Sequence, residues 1–324
     1  MKKVKESKSI LAEKSMAFLK DYINTASPVG FEYSGQKKWL SYVTPFVDTT
    51  FVDPYGTAVG IINPKAEFKV VIEAHADEIS WFVNYITPEG LLYLKRNGGV
   101  DHQIAPAQRV FIHGKKGPVK AVFGWPAIHT RLHNPDAKDP QPKVENLFLD
   151  CGARSKKEIE ELGIHIGAVV TYQDGYDELA HDYLIGRAFD NRVGGFMIAE
   201  VARLLKENKK QLPFGLYVVN AVQEEIGLRG AEMIARRIKP NIAIITDVTH
   251  DTYTPMINKI IEGDVACGKG PSLAYGPAVH NKLLNLVQEV AEQHKIAVQM
   301  RTVSRSTGTD TDSFAYANGG CRHR

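Results

Sequence analysis

Cysteine is scarce. The 324-residue chain carries three, Cys151, Cys267 and Cys321, an odd number with no CxxC pair. That excludes a disulfide-stapled scaffold and a thiolate zinc finger, and it predicts a reduced, cytoplasmic setting. No uninterrupted apolar run reaches the ~20 residues that a bilayer-spanning helix needs, and the opening MKKVKESKSI is not followed by the apolar core of a signal peptide. Neither sign of charge dominates. Forty basic residues against 37 acidic ones leave +3, without a polybasic block, which argues against DNA or RNA as partners. Repeats and low-complexity tracts are missing too.

What is present is enough apolar material, 44% of residues, for one large core or two. The chain is organised around Phe68 to Ser80, FKVVIEAHADEIS, an apolar strand-like run that ends in His75-Ala76-Asp77. Strand side chains alternate, so His75 and Asp77 leave on the same face of a sheet, at the edge where α/β folds keep their chemistry. Three further apolar runs end in acids. Tyr183 to Phe189 delivers Asp190, Phe214 to Gln223 delivers Glu224 and Glu225, and Asn241 to Thr246 delivers Asp247.

Helical spacing predicts helices over Ser15 to Ile23 (Met16, Leu19, Tyr22 and Ile23 inward) and Glu32 to Val43. Short strands at Phe51-Val52 and Ala58 to Ile62 are joined by the turn Asp53-Pro54-Tyr55-Gly56. Between about Ile79 and Gly175 the texture changes to short β-like runs punctuated by Gly and Pro, with one short helix near Ser155 to Leu162. This reads as a small β-barrel-like domain inserted at 79–175 into a catalytic domain made of 1–78 and 176–324. Alternation then resumes with a helix from Arg192 to Glu207 (Val193, Phe196, Met197, Val201, Leu204 and Leu205 on one face), another at Gly230 to Ile238, and a third at Leu283 to His294 with Leu284, Val287 and Val290 inward. The fold class expected is α/β.

Carboxylates at such close quarters cannot all stay charged unaided, and a pair of divalent cations is the simplest neutraliser. His75 suits zinc or cobalt as a ligand, with Asp77 placed to accept its other N–H and fix the tautomer. A lone histidine would sooner be a satisfied core residue; the neighbouring acids favour the ligand. Asp190 can bridge two metals or can cap the helix that follows it. Of the adjacent Glu224 and Glu225, one can ligate while the other serves a water as general base. Asp247 reads as a terminal ligand or a turn cap, and His250 as a loop histidine.

The motifs AHADEI (74–79), GGVDHQIAPAQRVFIHG (98–114), GRAFDNRVGG (186–195), AVQEEIGLRGA (221–231) and TDVTH (246–250) together resemble the tetrahedral (TET) dinuclear metallo-aminopeptidases. That family includes glutamyl and deblocking aminopeptidases and some members labelled endoglucanase. The resemblance implies a mixed-sheet α/β/α metallopeptidase domain with an inserted PDZ-like domain, and a cytoplasmic exopeptidase acting on short peptides with two zinc or cobalt ions. It implies that His75, Asp190 and Asp247 hold one metal and Asp190 with Glu225 the other, with Glu224 as general base and Asp77 supporting His75. Thr309 and Asp310 are expected in the substrate pocket. The inserted domain is expected to make dimers, and twelve subunits a hollow tetrahedron.

The last four residues, Cys321-Arg322-His323-Arg324, depart from that family, whose members continue through a further strand to a histidine of the second metal site. A one-base shift in a Gly-Val-Pro-Ser coding stretch reads as Cys-Arg and then His, so a truncated or frameshifted tail and a weakly held second metal are expected. Two other functions stand beside the aminopeptidase: an inactive assembly subunit or peptide-binding scaffold, and a glycoside hydrolase using Glu224 with another carboxylate, which would need no metal.

Overall fold

The computed structural model describes residues 11–131 and 139–317. The tail from Cys321 to Arg324 lies outside them, as does Gly320. Contacts divide the chain into two compact units, one of Met1–Gly35 with Asp77–Phe189 and one of Gln36–Ala76 with Asp190–Arg324. Elements are numbered along the chain.

The second unit is built on a five-stranded sheet ordered β1-β2-β12-β3-β13, comprising β1 (Thr49–Val52), β2 (Ala58–Ile62), β3 (Lys69–His75), β12 (Gly215–Ala221) and β13 (Ile242–Ile245). Strand β2 runs antiparallel to β1 and β12, whereas β12, β3 and β13 are mutually parallel. Three parallel strands therefore end on one edge, with Ala221 opposite His75 and Ile245 opposite Glu73. The turn between β1 and β2 forms for the expected reason: Asp53 Oδ1 accepts the N–H groups of Tyr55, Gly56 and Thr57 at 2.8 to 2.9 Å, an Asx turn.

Strand β12 is buried along its whole length. Its Asn220 side chain donates to Gln36 Oε1 at 2.8 Å, and Gln36 Nε2 donates to the Asn220 carbonyl at 2.8 Å. Gln36 belongs to α2 (Tyr33–Val43), from which Trp39 also donates its indole N–H to the Gly195 carbonyl at 2.9 Å. Gly195 lies on α5 (Phe189–Glu207). Its neighbour Gly194 lets that helix settle on the sheet, because a Cβ there would stand 2.9 Å from Ala74 Cβ and 2.7 Å from Thr246 Oγ1. The remaining helices of this unit are α6 (Arg229–Ile238), α7 (Lys259–Glu262), α8 (Asn281–Gln293) and α9 (Thr311–Tyr316). A separate parallel pair, β14 (Ser272–Tyr275) and β15 (Gln299–Thr302), is joined through α8.

The first unit holds a closed barrel ordered β4-β5-β8-β7-β6-β9. Its strands are β4 (Ser80–Ile86), β5 (Leu92–Asn97), β6 (Arg109–Gly114), β7 (Gly117–Gly124), β8 (Phe148–Asp150) and β9 (Val169–Tyr172), all inside the segment 79–175 expected to be β-rich. Trp81, Val110, Ile112, Leu149 and Val170 fill it, and Trp81 meets Phe123 edge to face at 5.3 Å, an arrangement aromatic rings favour. Two short helices, α3 (Ile128–Arg131) and α4 (Lys156–Glu161), interrupt the barrel strands, α4 capped by Ser155 Oγ accepting from the Glu158 N–H. Helix α1 (Glu13–Asn24) belongs to this unit and buries Phe18, Leu19, Tyr22 and Ile23.

Three expectations need correction. Tyr183 to Phe189 is not a strand of the main sheet: only β11 (Leu184–Ile185) forms, paired with β10 (Asp177–Glu178). A Cβ at Gly186 would stand 2.7 Å from the Gly175 carbonyl, Ala188 turns left-handed at φ 63°, and Arg187 is held by Glu78 at 2.8 Å. On α5 the buried stripe is rotated from the expected one. Met197 and Val201 are exposed, whereas Ile198, Ala199, Ala202 and the Glu200–Arg203 pair are buried. Arg203 Nη2 reaches Glu200 at 2.7 Å, so two charges enter the core as one hydrogen-bonded unit. On α8, Val290 is exposed and Ala291 takes the inward position.

Candidate metal centre

The parallel edge of the sheet gathers the chemistry. His75, the last residue of β3, is 1% exposed. Its Nε2 lies 3.1 Å from Asp190 Oδ1, 3.9 Å from Glu224 Oε2 and 3.9 Å from Asp247 Oδ1. Two sets of three donors fall within 4.8 Å of one another, His75 with Asp190 and Asp247, and His75 with Glu224 and Glu225. His75 is common to both.

Each acid arrives by a different local route. Strand β12 stops at Ala221, Gln223 turns left-handed at φ 56°, and Glu224 and Glu225 stand on a single 3₁₀ turn, Glu224–Ile226. Asp247 follows β13 by two residues, and its Oδ1 accepts the Val248 N–H at 2.7 Å. Asp190 stands in the first turn of α5, where its own φ/ψ of −77° and 111° is not helical and the Asp190–Asn191 peptide is cis. Asn191 Nδ2 donates to the Thr246 carbonyl at 2.6 Å, tying the start of α5 to the end of β13. Among the described residues no contact of the Asp190 side chain with an α5 N–H is seen, so the helix-cap alternative gains no support.

Burial dominates the electrostatics. The Glu224 carboxyl is pushed up to about 8, first by desolvation and then by Asp310, Asp247 and Glu225 around it, with His75 pulling the other way. Asp247 is pushed up to about 6, again mainly by burial. Side-chain exposure grades from 10% at Glu224 and 15% at Asp247 to 54% at Asp190, so the cluster opens to solvent on the Asp190 side. One imidazole among desolvated carboxylates is a donor set that a hard-to-borderline divalent cation fits, zinc or cobalt included, because the cation's charge compensates acids that burial disfavours in their ionised form.

A pH dependence follows for protein stripped of metal. Folding raises the Glu224 pKa from 4.5 to about 8 and that of Asp247 from 3.8 to about 6. The folded chain then binds more protons than the unfolded one across this window, so stability falls as pH rises. Thermal melts in chelator are expected to show a declining Tm between roughly pH 5 and pH 8, and zinc is expected to flatten the decline. A chelated protein that gains stability over that range would contradict the assignment.

Sequence reading missed Glu73. It is fully buried on β3, two residues before His75 and on the same strand face, and burial, followed by Asp310 beside it, holds its carboxyl well above the usual range. The signal was available: it is the one acid within β3, between Ile72 and Ala74. Asp310 is itself buried at the start of α9, and Thr309 lines a cavity together with Asp247. Asp77 is fully buried just beyond the end of β3.

Comparison with known proteins gives concordant findings. The family model described as M42 glutamyl aminopeptidase matches residues 56–324. The lysyl aminopeptidase of Pyrococcus furiosus is 31% identical over 297 residues, covering 91% of this chain and 83% of that one. A TET aminopeptidase from a marine-sediment Thaumarchaeota archaeon superposes with a TM-score of 0.89 at 30% identity, over 96% of this chain and 87% of that one. The Pyrococcus horikoshii TET1 peptidase shares the fold at a TM-score of 0.78 and 24% identity, over 92% of this chain and 87% of that one.

Proposed function

Because this chain belongs to the M42 glutamyl aminopeptidase family, hydrolases that act as exopeptidases, we propose that it removes N-terminal residues from short peptides in a metal-dependent reaction. The observation that carries the metal dependence is His75 Nε2 within 3.9 Å of carboxylate oxygens from three separate elements. In this reading His75, Asp190 and Asp247 hold one divalent ion and Asp190 with Glu225 holds the second. Bound ions would polarise the scissile carbonyl and bring a water toward a pKa of about 7.

Glu224 has the general-base role. It takes the proton of the attacking water at a carboxylate oxygen and returns it to the leaving amine. Its low exposure suits the task, since a desolvated carboxylate is a stronger base than one in bulk water. Asp77 orients His75, as a carboxylate behind a ligating imidazole does elsewhere. Thr309 and Asp310 belong to the pocket side of the centre. The Pyrococcus horikoshii relative assembles into a tetrahedron or an octahedral shell, and self-association of this chain through its barrel, first to dimers and then to a dodecamer, is part of the same reading. Among the described residues no helix is long and apolar enough to cross a membrane; a cytoplasmic location is proposed.

The test is chelation. Turnover of aminoacyl chromogenic substrates is expected to vanish in chelator and to return with zinc or cobalt, metal content per chain being measured alongside. Undiminished turnover in metal-free protein would exclude this mechanism.

A further inference from the structure

The turn between β1 and β2 lies at the same edge of the sheet as the metal cluster. Strand β2 runs antiparallel to β12, and its first residue, Ala58, is paired with Asn220 near the end of β12. The turn is fastened to the segment that carries Glu224 and Glu225. Gln36 Nε2 donates to the Gly56 carbonyl at 3.2 Å and to the Asn220 carbonyl at 2.8 Å, so one amide holds turn and strand together. Tyr55 adds a side-chain contact: its hydroxyl donates to Gln223 Oε1 at 2.9 Å.

Gln223 is where the chain swings away from the line of β12. Its backbone stands at φ 56° and ψ 37°, a left-handed conformation that a residue with a Cβ occupies at a cost. From there the chain enters the 3₁₀ turn Glu224–Ile226 and comes back. The Arg229 N–H donates to the Gln223 carbonyl at 3.2 Å and the Gly230 N–H to the Val222 carbonyl at 2.9 Å. Leaving the left-handed well at Gln223 would redirect both acids that follow it. Tyr55 is placed in turn by Asp53, whose Oδ1 accepts its N–H at 2.9 Å, and by Gly56, whose φ of 109° glycine adopts without strain. Neither Tyr55 nor Gln223 belongs to a candidate donor set.

We propose that Tyr55 is a positioning residue: through Gln223 it sets the direction in which Glu224 and Glu225 leave β12, and with it the placement of the general base and of a ligand to the second ion. The inference rests on the aminopeptidase reading for the roles of the two acids, and on the Tyr55–Gln223 contact for the rest.

Tyr55→Phe removes the donor and keeps the ring. It is expected to lower kcat roughly 2- to 10-fold, the scale of one hydrogen bond, with KM little changed. Gln223→Met removes the acceptor at similar length and is expected to do the same. The double variant should be no slower than either single one, because all three break one contact. Cobalt gives a readout apart from turnover, since its visible absorption bands report ligand geometry. Both single variants are expected to shift those bands and to weaken cobalt binding by ~10-fold at one of the two positions, measured in competition with a chelator. A merely structural Tyr55 would instead lower Tm and leave kcat, cobalt affinity and bands unchanged. That result would overturn the proposal, as would losses that multiply in the double variant. Wild-type protein that neither binds cobalt nor hydrolyses aminoacyl substrates would overturn the aminopeptidase reading and this inference with it. Wild-type protein that does both while Tyr55→Phe matches it in every measurement sinks the Tyr55 assignment alone.

Discussion

Glu224→Gln is expected to lower kcat by ~10²- to 10⁴-fold, with both metals still bound and KM little changed. Glutamine keeps the size of the side chain and loses the ability to accept a proton, so the loss measures proton transfer rather than packing. The position makes this a clean substitution: Glu224 sits on a 3₁₀ turn with its side chain 10% exposed. Replacing a desolvated carboxyl by a neutral amide also relieves the apo protein of a charge it holds poorly, so metal-free Glu224→Gln should melt no lower than metal-free wild type at pH values near 8. A variant with kcat within a few-fold of wild type would remove Glu224 from the reaction. A variant that no longer holds metal would make it a ligand instead.

His75→Ala is expected to have the larger effect on metal. In the proposed reading His75 ligates one of the two ions and is the only imidazole of both candidate donor sets. Removing a residue that merely supports a ligand costs ~10- to 100-fold in metal affinity, and loss of the ligand itself should cost at least as much at the position it serves. After dialysis against buffer without metal, elemental analysis should find at most one ion per chain, and aminopeptidase activity should be absent at stoichiometric zinc. If His75→Ala retained two ions per chain, the centre would have been built on the wrong residue.

Much of this site can be read from the amino-acid order because parallel strands impose a common exit. The runs around Val71, Val218 and Ile244 are apolar, so they become neighbouring parallel strands, and whatever follows each of them is delivered to one edge. His75, Glu224, Glu225 and Asp247 converge for that reason. Asp190 converges for another. Asn191 reaching the Thr246 carbonyl ties the start of its helix to the end of β13, a contact with no local signature.

Long-range packing also decided what stayed hidden. The buried stripe of α5 departs from its hydrophobic pattern: Gly194 lets the helix sit where a Cβ would stand 2.9 Å from Ala74 Cβ, and small residues face inward while Met197 and Val201 are exposed. An acid in a strand is usually solvated, and the neighbour that marks Glu73 out, Asp310, lies far along the chain.

The barrel has a consequence for how this protein meets others of its kind. Its six strands close on themselves, with β9 pairing back onto β4 as well as β6, so the ring presents no unsatisfied row of backbone N–H and C=O groups to a visitor. A partner cannot dock there by lending a strand. If copies of this chain associate through that face, as proposed above, recognition there would have to be written in side chains.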